Sequence, residues 1–217
     1  MDDDRTLSHL FEKNRAWAAR IQQQDPNFFR ELSQQQAPSC FWIGCSDSRV
    51  PPNQLLGASP GEVFVHRNVA NIVVHTDLNC LSAMQFAVDV LKVRHIIVCG
   101  HFGCGGVLAA LRRERIGLCD NWIRHIQDVH EKHRARFATL AGEQTAHNLL
   151  CQLNVIEQVV NVCATAIAQD AWRRGQELVV HGWVYGLGDG LLRDLHVTIS
   201  NEHEAASVHD AAVAALL

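Results

Sequence analysis

Short apolar runs alternate with longer amphipathic stretches along most of the chain. Four of these runs predict buried strands, because they are apolar throughout and are bounded by polar or turn-forming residues. A fifth strand is predicted near the carboxyl end. The predicted strands are Cys40–Cys45, Glu62–His66, His95–Gly100, Glu177–Val184 and His196–Ser200. Strands separated by helices pair in parallel through right-handed crossovers. The pattern therefore predicts an α/β fold, with a mostly parallel central sheet of four to five strands flanked by helices.

The amphipathic stretches carry apolar residues at helical spacing. The first helix has an apolar stripe and ends at Asp25-Pro26, where a short second helix begins and runs to about Gln35. The stripe consists of Leu7, Leu10, Phe11, Trp17 and Ile21. The later predicted helices are 79–93, one from Gly105 onward, 121–140, 146–174 and 205–217, and the two longest could be broken. We expect one domain, 1–217, with a helical arm (1–35), an α/β core (36–200) and a carboxyl-terminal helix (201–217).

Composition excludes several functional classes. The chain has 217 residues, a formal net charge of −4 and 47% hydrophobic residues, so it can build an ordinary globular core. Its densest basic segment, Arg112 to Arg115, is interrupted by Glu114, and no nucleic-acid-binding patch is expected. The acidic start does not resemble a signal peptide, and no segment approaches the roughly 20 apolar residues that span a bilayer. We expect a cytoplasmic protein with reduced cysteines and no membrane contact.

Two predicted strands lead directly into unusual polar sequences. Cys45-Ser-Asp-Ser-Arg49 follows the first strand, and Gly100-His-Phe-Gly-Cys104-Gly-Gly106 follows the third. The carboxyl ends of parallel strands meet at one edge of a sheet, where ligands bind. The sulfur, nitrogen and carboxylate donors at this edge suit zinc. They are Cys45, Asp47, His101 and Cys104.

Each part of this pattern also has a structural interpretation. Buried cysteines often serve as small apolar residues, and Asp47 with Arg49 could form an ordinary surface ion pair or a turn cap. We favour a metal site because Cys45 and Cys104 both lie at loop starts rather than inside strands. A metal beside them in turn favours a catalytic role for Asp47 and Arg49.

Two other features are assigned no function. The histidines of the predicted helix 121–140 lack the i, i+4 spacing of a zinc-protease helix, and we expect them on a solvated face. They are His125, His130 and His133. The segment Gly186-Leu-Gly-Asp-Gly190 lacks the spacing of a nucleotide-binding loop, so we expect a turn.

The two polar segments resemble the signatures of β-class carbonic anhydrases. The first signature is matched by Cys45-Ser-Asp-Ser-Arg-Val50; the second is matched by Gln85-Phe-Ala-Val, Leu91, Ile96–Val98 and Gly100-His-Phe-Gly-Cys-Gly105. The resemblance extends from the first helix to about Leu192. It implies one zinc ion per subunit, bound by Cys45, His101 and Cys104, with Asp47 and Arg49 as a catalytic pair. It also implies that the helical arm packs on a neighbouring subunit in a dimer or a homotetramer.

The chemistry of these residues fits the hydration of carbon dioxide to bicarbonate and a proton. Three protein ligands leave a fourth position for water, which zinc acidifies into a nucleophile. Two thiolates cancel the charge of the ion, so we expect Asp47 to orient the nucleophile and Arg49 to keep Asp47 ionised. Backbone N–H groups at Gly105 and Gly106 could stabilise the bicarbonate oxygen. Phe86 and Val69 are candidates for the apolar wall beside carbon dioxide.

Two other functions and one form of regulation are considered. A hydrolase of carbon disulfide or carbonyl sulfide could use the same zinc site, and a structural zinc module would hold Asp47 as a permanent fourth ligand.

The resemblance extends to the allosteric, bicarbonate-regulated bacterial subclass through Trp42, Arg67 and Tyr185. Their indole, guanidinium and phenol donors would hold bicarbonate in a non-catalytic pocket. They could also be ordinary core aromatics and an ion-pair partner. In the regulated state Asp47 would leave Arg49 and become the fourth zinc ligand.

Overall fold

The computed structural model describes residues 6–34 and 36–216, which divide into two compact units at Ala37 and Pro38. The amino-terminal unit contains helices α1 (Ser8–Gln24) and α2 (Phe28–Leu32). Trp17 of α1 meets Phe29 of α2 edge to face, with ring centroids 5.7 Å apart. None of the residues of α1, all of which the structure describes, is buried. The predicted apolar stripe therefore lies on a helix that does not bury it.

The second unit is built on a five-stranded sheet in the order β2-β1-β3-β4-β5. Its strands are β1 (Cys40–Cys45), β2 (Val63–Asn68), β3 (His95–His101), β4 (Val179–Tyr185) and β5 (Leu192–Ile199). The β1–β2, β1–β3 and β3–β4 pairs are parallel, and β4–β5 is antiparallel. The prediction of a mostly parallel α/β sheet is confirmed. Strand β5 begins at Leu192 rather than at the predicted His196. Its first residues are largely exposed, so they lack the apolar signal of the inner strands.

The helices of this unit connect the strands and cover the sheet. They are α3 (Pro52–Leu56), α4 (Leu78–Gln85), α5 (Gly105–Arg112), α6 (Cys119–Lys132), α7 (Arg134–Phe137), α8 (Glu143–Cys163), α9 (Ala166–Arg173) and α10 (Ala205–Ala215). Helix α4 continues into a π-helical turn, Phe86–Val90. Both long predicted helices are broken. One break lies at His133 and the other at Thr165, whose side chain caps α9 by accepting a hydrogen bond from the Ala168 N–H.

The prediction that the histidines of helix 121–140 lie on a solvated face is wrong for His133. His125 is exposed, but His133, where α6 ends, is only 9% exposed. The sequence pattern of α6 gives no sign of this, because the groups that cover His133 come from α8 and α10. The segment 186–190 is a turn region as predicted, with Gly190 N–H bonded to Gly186 O.

Helix α8 lies against the middle of the sheet. Val155, Ile156 and Val159 are fully buried there, and glycine at position 100 of β3 allows the close approach. A Cβ at Gly100 would lie only 2.6 Å from Val155 Cγ2. A smaller second cluster contains Cys40, Trp42, Val50, Ile97, Cys99 and Tyr185.

Within the described residues no single helix is long and apolar enough to cross a membrane. The bent pair of helices α8 and α9 is long and apolar enough when the two are taken together, by length and composition alone.

Candidate metal centre

Three potential metal ligands converge at the carboxyl edge of the sheet. Cys45 is the last residue of β1, and His101 is the last residue of the neighbouring parallel strand β3. Cys104 follows after a short turn as the N-cap residue of α5. The Sγ atoms of Cys45 and Cys104 are 3.9 Å apart, and the potential ligand atoms of all three residues lie within 4.8 Å of one another. All three residues are buried.

The protonation of these side chains suits metal binding. His101 Nδ1 lies 3.0 Å from the carbonyl oxygen of Phe102, so the Nδ1–H donates there and Nε2 carries the lone pair. The contact with Cys104 lowers the pKa of Cys45 to about 4, although burial opposes this shift. The same contact and burial raise the pKa of Cys104. A divalent cation between the two sulfurs would allow both thiols to ionise.

Two observations indicate that zinc would fit between these three residues. His101 Nε2 is buried and has no hydrogen-bond partner among the described residues, which is costly for a polar atom unless it binds an ion. Two thiolates on one tetrahedral zinc ion at about 2.3 Å lie roughly 3.8 Å apart, close to the observed sulfur separation of 3.9 Å. Zinc would therefore be held by Cys45 Sγ, His101 Nε2 and Cys104 Sγ.

Asp47 and Arg49 form a bidentate ion pair beside these ligands. Arg49 Nε lies 2.9 Å from Asp47 Oδ1, and its terminal nitrogen lies 2.7 Å from Oδ2. The Arg49 backbone N–H also donates to Asp47 Oδ1 at 3.0 Å. Hydrogen bonds from Arg49 hold the pKa of Asp47 well below its ordinary value. Asp47 Oδ2 is 3.8 Å from His101 Nε2, so an ionised carboxylate faces the centre without replacing a ligand.

Three supporting residues were not predicted from the sequence. Ala70 is buried in the left-handed region at φ 63°, and its backbone N–H donates to Cys45 Sγ at 3.3 Å. This conformation costs about 1–2 kcal/mol for a residue with a Cβ. Asn154 of α8 stabilises it by donating to the Ala70 carbonyl oxygen at 2.9 Å. His147, also in α8, lies 2.9 Å from the Cys104 carbonyl oxygen through Nε2, and burial lowers its pKa.

The structure separates the predicted substrate-contacting residues into two groups. Gly105 and Gly106 begin α5, and a Cβ at Gly106 would lie 2.9 Å from Val69 Cγ1, which places Val69 beside the centre. Val69 is 39% exposed, so it can form part of an accessible wall. Phe86 lies in the π-helical turn and stacks on Phe64 at 5.9 Å. Its described contacts do not bring Phe86 to the three ligands.

Two of the three residues predicted to bind bicarbonate lie in one buried cluster, and the third contacts the loop that carries Asp47. Trp42 and Tyr185 belong to the same buried cluster, and the Trp42 Nε1 atom has no partner within the described part of the chain. Arg67 donates from Nε to the Cys45 carbonyl oxygen at 2.8 Å and from its terminal nitrogen to the Asp47 carbonyl oxygen at 2.5 Å. Arg67 thus braces the loop that carries Asp47.

Known proteins of one family are similar to this chain. The family model described as "Carbonic anhydrase" matches residues 40–192. A carbonic anhydrase of Emericella nidulans is 45% identical over 194 residues, covering 89% of this chain and 85% of the relative. The β-carbonic anhydrase of Coccomyxa in complex with acetazolamide has a TM-score of 0.88 and 44% identity, covering 93% of this chain and 91% of that one. A tetrameric β-carbonic anhydrase of Sordaria macrospora has a TM-score of 0.85 and 38% identity, covering 91% and 100%. The chain therefore belongs to the carbonic anhydrase family, in its β class.

Proposed function

We propose that this enzyme catalyses the reversible hydration of carbon dioxide to bicarbonate and a proton, with one zinc ion per subunit at Cys45, His101 and Cys104. The observation that carries the proposal is the buried His101 Nε2, which has no partner in residues 6–34 and 36–216 and lies beside two thiols and 3.8 Å from the ionised Asp47. When bound, zinc supplies a Lewis acid that acidifies water and so provides the nucleophile.

The surrounding residues orient the reactants. Asp47 accepts a hydrogen bond from the nucleophile and directs its lone pair, while Arg49 holds the carboxylate ionised and in place. The first backbone N–H groups of α5, at Gly105 and Gly106, have no acceptor within their own helix and are available to an oxygen of bicarbonate. Val69 offers the apolar surface that carbon dioxide prefers.

Neither rival function is favoured by a specific observation. A structural zinc module closes its site with four protein ligands, whereas Asp47 is engaged by Arg49. A hydrolase of carbon disulfide or carbonyl sulfide would differ in its substrate channel, and the relatives described above are carbonic anhydrases. Turnover measured in parallel on carbon dioxide and carbonyl sulfide distinguishes the two enzymes.

The decisive experiment combines metal analysis with a stopped-flow hydration assay on the purified protein. We expect about one zinc ion per subunit at this centre, and loss of both zinc and activity in Cys104→Ser. Cys119→Ser is the matched control, because Cys119 is a free thiol outside the three ligands. Full activity in Cys104→Ser, or an active wild-type protein without zinc, would contradict the proposal.

We further propose that the subunits assemble as a dimer or tetramer through the apolar stripe of α1. Phe11 is 64% exposed, and Leu7 and Leu10 are each 48% exposed, which is unusual for large apolar residues on one helix. The Sordaria macrospora relative is tetrameric. The cytoplasmic location stays a prediction.

We also propose that bicarbonate regulates the enzyme from the pocket of Trp42, Arg67 and Tyr185. Two observations support this proposal: the buried Trp42 indole N–H has no acceptor among the residues that the structure describes, and Arg67 donates hydrogen bonds to the Cys45 and Asp47 carbonyl groups. An anion that draws Arg67 away would loosen the loop that carries Asp47, and so couple the pocket to the metal centre. The rate of hydration should then rise steeply and cooperatively from neutral to mildly alkaline pH. A single-proton profile that is unchanged in Trp42→Phe and Tyr185→Phe would contradict this regulation.

A further inference from the structure

A second cluster of metal-binding side chains lies where three helices meet, apart from the centre described above. His133 at the end of α6, Glu157 of α8 and His209 of α10 converge there. His133 Nε2 is 2.7 Å and His209 Nε2 is 2.8 Å from the same oxygen, Glu157 Oε1. The three potential ligand atoms all lie within 4.8 Å of one another.

Both ring nitrogens of His209 face carboxylate oxygens, and the single N–H of a neutral imidazole can serve only one of them. Its Nδ1 lies 3.0 Å from Asp210 Oδ1, and its Nε2 lies 2.8 Å from Glu157 Oε1. A neutral imidazole has only one N–H, while carboxylate oxygens only accept hydrogen bonds. One of the two contacts therefore requires either a second proton on the ring or a cation beside the lone pair.

The carboxylate at the middle of the cluster is ionised. Burial acts to raise the pKa of Glu157, but hydrogen bonds from Lys132, His209 and His133 outweigh it and leave the pKa below its ordinary value. Lys132 Nζ binds the other oxygen, Oε2, at 2.6 Å. Glu157 Oε1 is thus left to the two histidines, and Lys132 does not occupy the space between them.

We propose that His133 Nε2, His209 Nε2 and Glu157 Oε1 bind a second divalent transition-metal ion, with zinc as the best match. Two imidazoles and one carboxylate form a borderline donor set that suits zinc, cobalt or nickel. Asp210 accepts a hydrogen bond from His209 Nδ1–H and so presents the Nε2 lone pair, in the arrangement that commonly supports metal-binding histidines.

The two distances from histidine nitrogen to carboxylate oxygen need to change only slightly to admit the ion. Ligand atoms around a tetrahedral zinc ion at about 2.0–2.1 Å lie roughly 3.3 Å apart, so each imidazole would recede from Glu157 Oε1 by about 0.6 Å. The cluster is also reachable, because the neighbouring Asp210 and Lys132 side chains are 82% and 52% exposed. A bound ion would fasten the carboxyl-terminal helix α10 to α6 and α8.

The test compares zinc bound per subunit by equilibrium dialysis and elemental analysis in three full-length proteins. These are the wild type, His209→Asn, and the control His203→Asn, which removes a histidine whose side chain is 88% exposed. We expect the wild type and the control to bind one zinc ion more than His209→Asn. This difference does not depend on whether the first centre is filled. Equal zinc counts in all three proteins would overturn the proposal, since the cluster would then hold protons only.

A second variant covers the case in which His209→Asn does not fold. Asp210 is exposed and its replacement by Asn leaves all three ligands in place. We expect Asp210→Asn to keep the extra zinc ion with an affinity lower by about 10–100-fold, because the orienting acceptor loses its negative charge. The absence of an extra ion in the wild type would overturn the site, and an unchanged affinity in Asp210→Asn would overturn the orienting role of Asp210.

Discussion

Gly100 is the residue whose replacement by alanine should reveal how tightly α8 supports the metal-bearing strand. It precedes His101 in β3, which is hydrogen-bonded on both sides, to β1 and to β4. A Cβ at this position would lie 2.6 Å from Val155 Cγ2 and 3.3 Å from Asn71 Oδ1. Carbon atoms in contact normally lie about 3.5–4.0 Å apart, so the overlap with Val155 is close to 1 Å.

Neither partner can easily move to relieve this overlap. Val155 is fully buried in α8, and β3 is an inner strand. Forcing an extra methyl group into such a core costs about 1–3 kcal/mol, which is a large share of the roughly 5–15 kcal/mol by which most domains are stable. For a urea m-value of about 2 kcal/mol/M, the unfolding midpoint should fall by about 0.5–1.5 M.

The assay is urea unfolding at a fixed protein concentration. Gly105→Ala is the matched control, because a Cβ at Gly105 meets no heavy atom of the described residues within 4 Å. In Gly100→Ala with Val155→Ala, the new methyl group occupies the space that is vacated, so the two penalties should fail to add by about 0.5–3 kcal/mol. Unchanged stability of Gly100→Ala, or strictly additive penalties, would refute this account of the packing.

Three further predictions concern activity, acid stability and assembly. Asp47→Asn should keep zinc and lower the hydration rate by about 10²–10⁴-fold in stopped flow, and a loss of only a few fold would reduce Asp47 to a structural role. Arg49 holds the pKa of Asp47 below its ordinary value. The stabilisation from this pair should therefore be complete above about pH 4, the unfolded pKa, and be lost as the pH falls through the folded pKa. The difference in melting temperature between wild type and Arg49→Ala should accordingly shrink only below about pH 4, and a difference that vanishes near pH 6 would count against it. Deleting residues through Asp25 should lower the oligomeric mass measured by light scattering, that is, the number of subunits per particle, because the exposed stripe of α1 is removed; an unchanged number of subunits would argue that α1 is not the contact.

The α/β class and the convergence of three potential ligands could be predicted from local sequence patterns. Inner parallel strands are covered on both faces, so they leave continuous apolar runs such as Cys40–Cys45 that can be recognised locally. Cys45 and His101 each end such a run, and Cys104 follows three residues later. The rule that parallel strands end at one edge is enough to bring these residues together.

Features that depend on residues far apart in the chain could not be predicted from such patterns. Ala70 takes a left-handed conformation that is stabilised by Asn154, 84 residues later, whose side-chain amide donates a hydrogen bond to the Ala70 carbonyl oxygen. His133 is buried because Glu157 and α10 cover it, although the sequence pattern of its own helix predicts an exposed position. Phe86 stacks on Phe64 of β2, a contact that the sequence around Phe86 does not show. In each case the local pattern is compatible with several environments, and a long-range contact selects one of them.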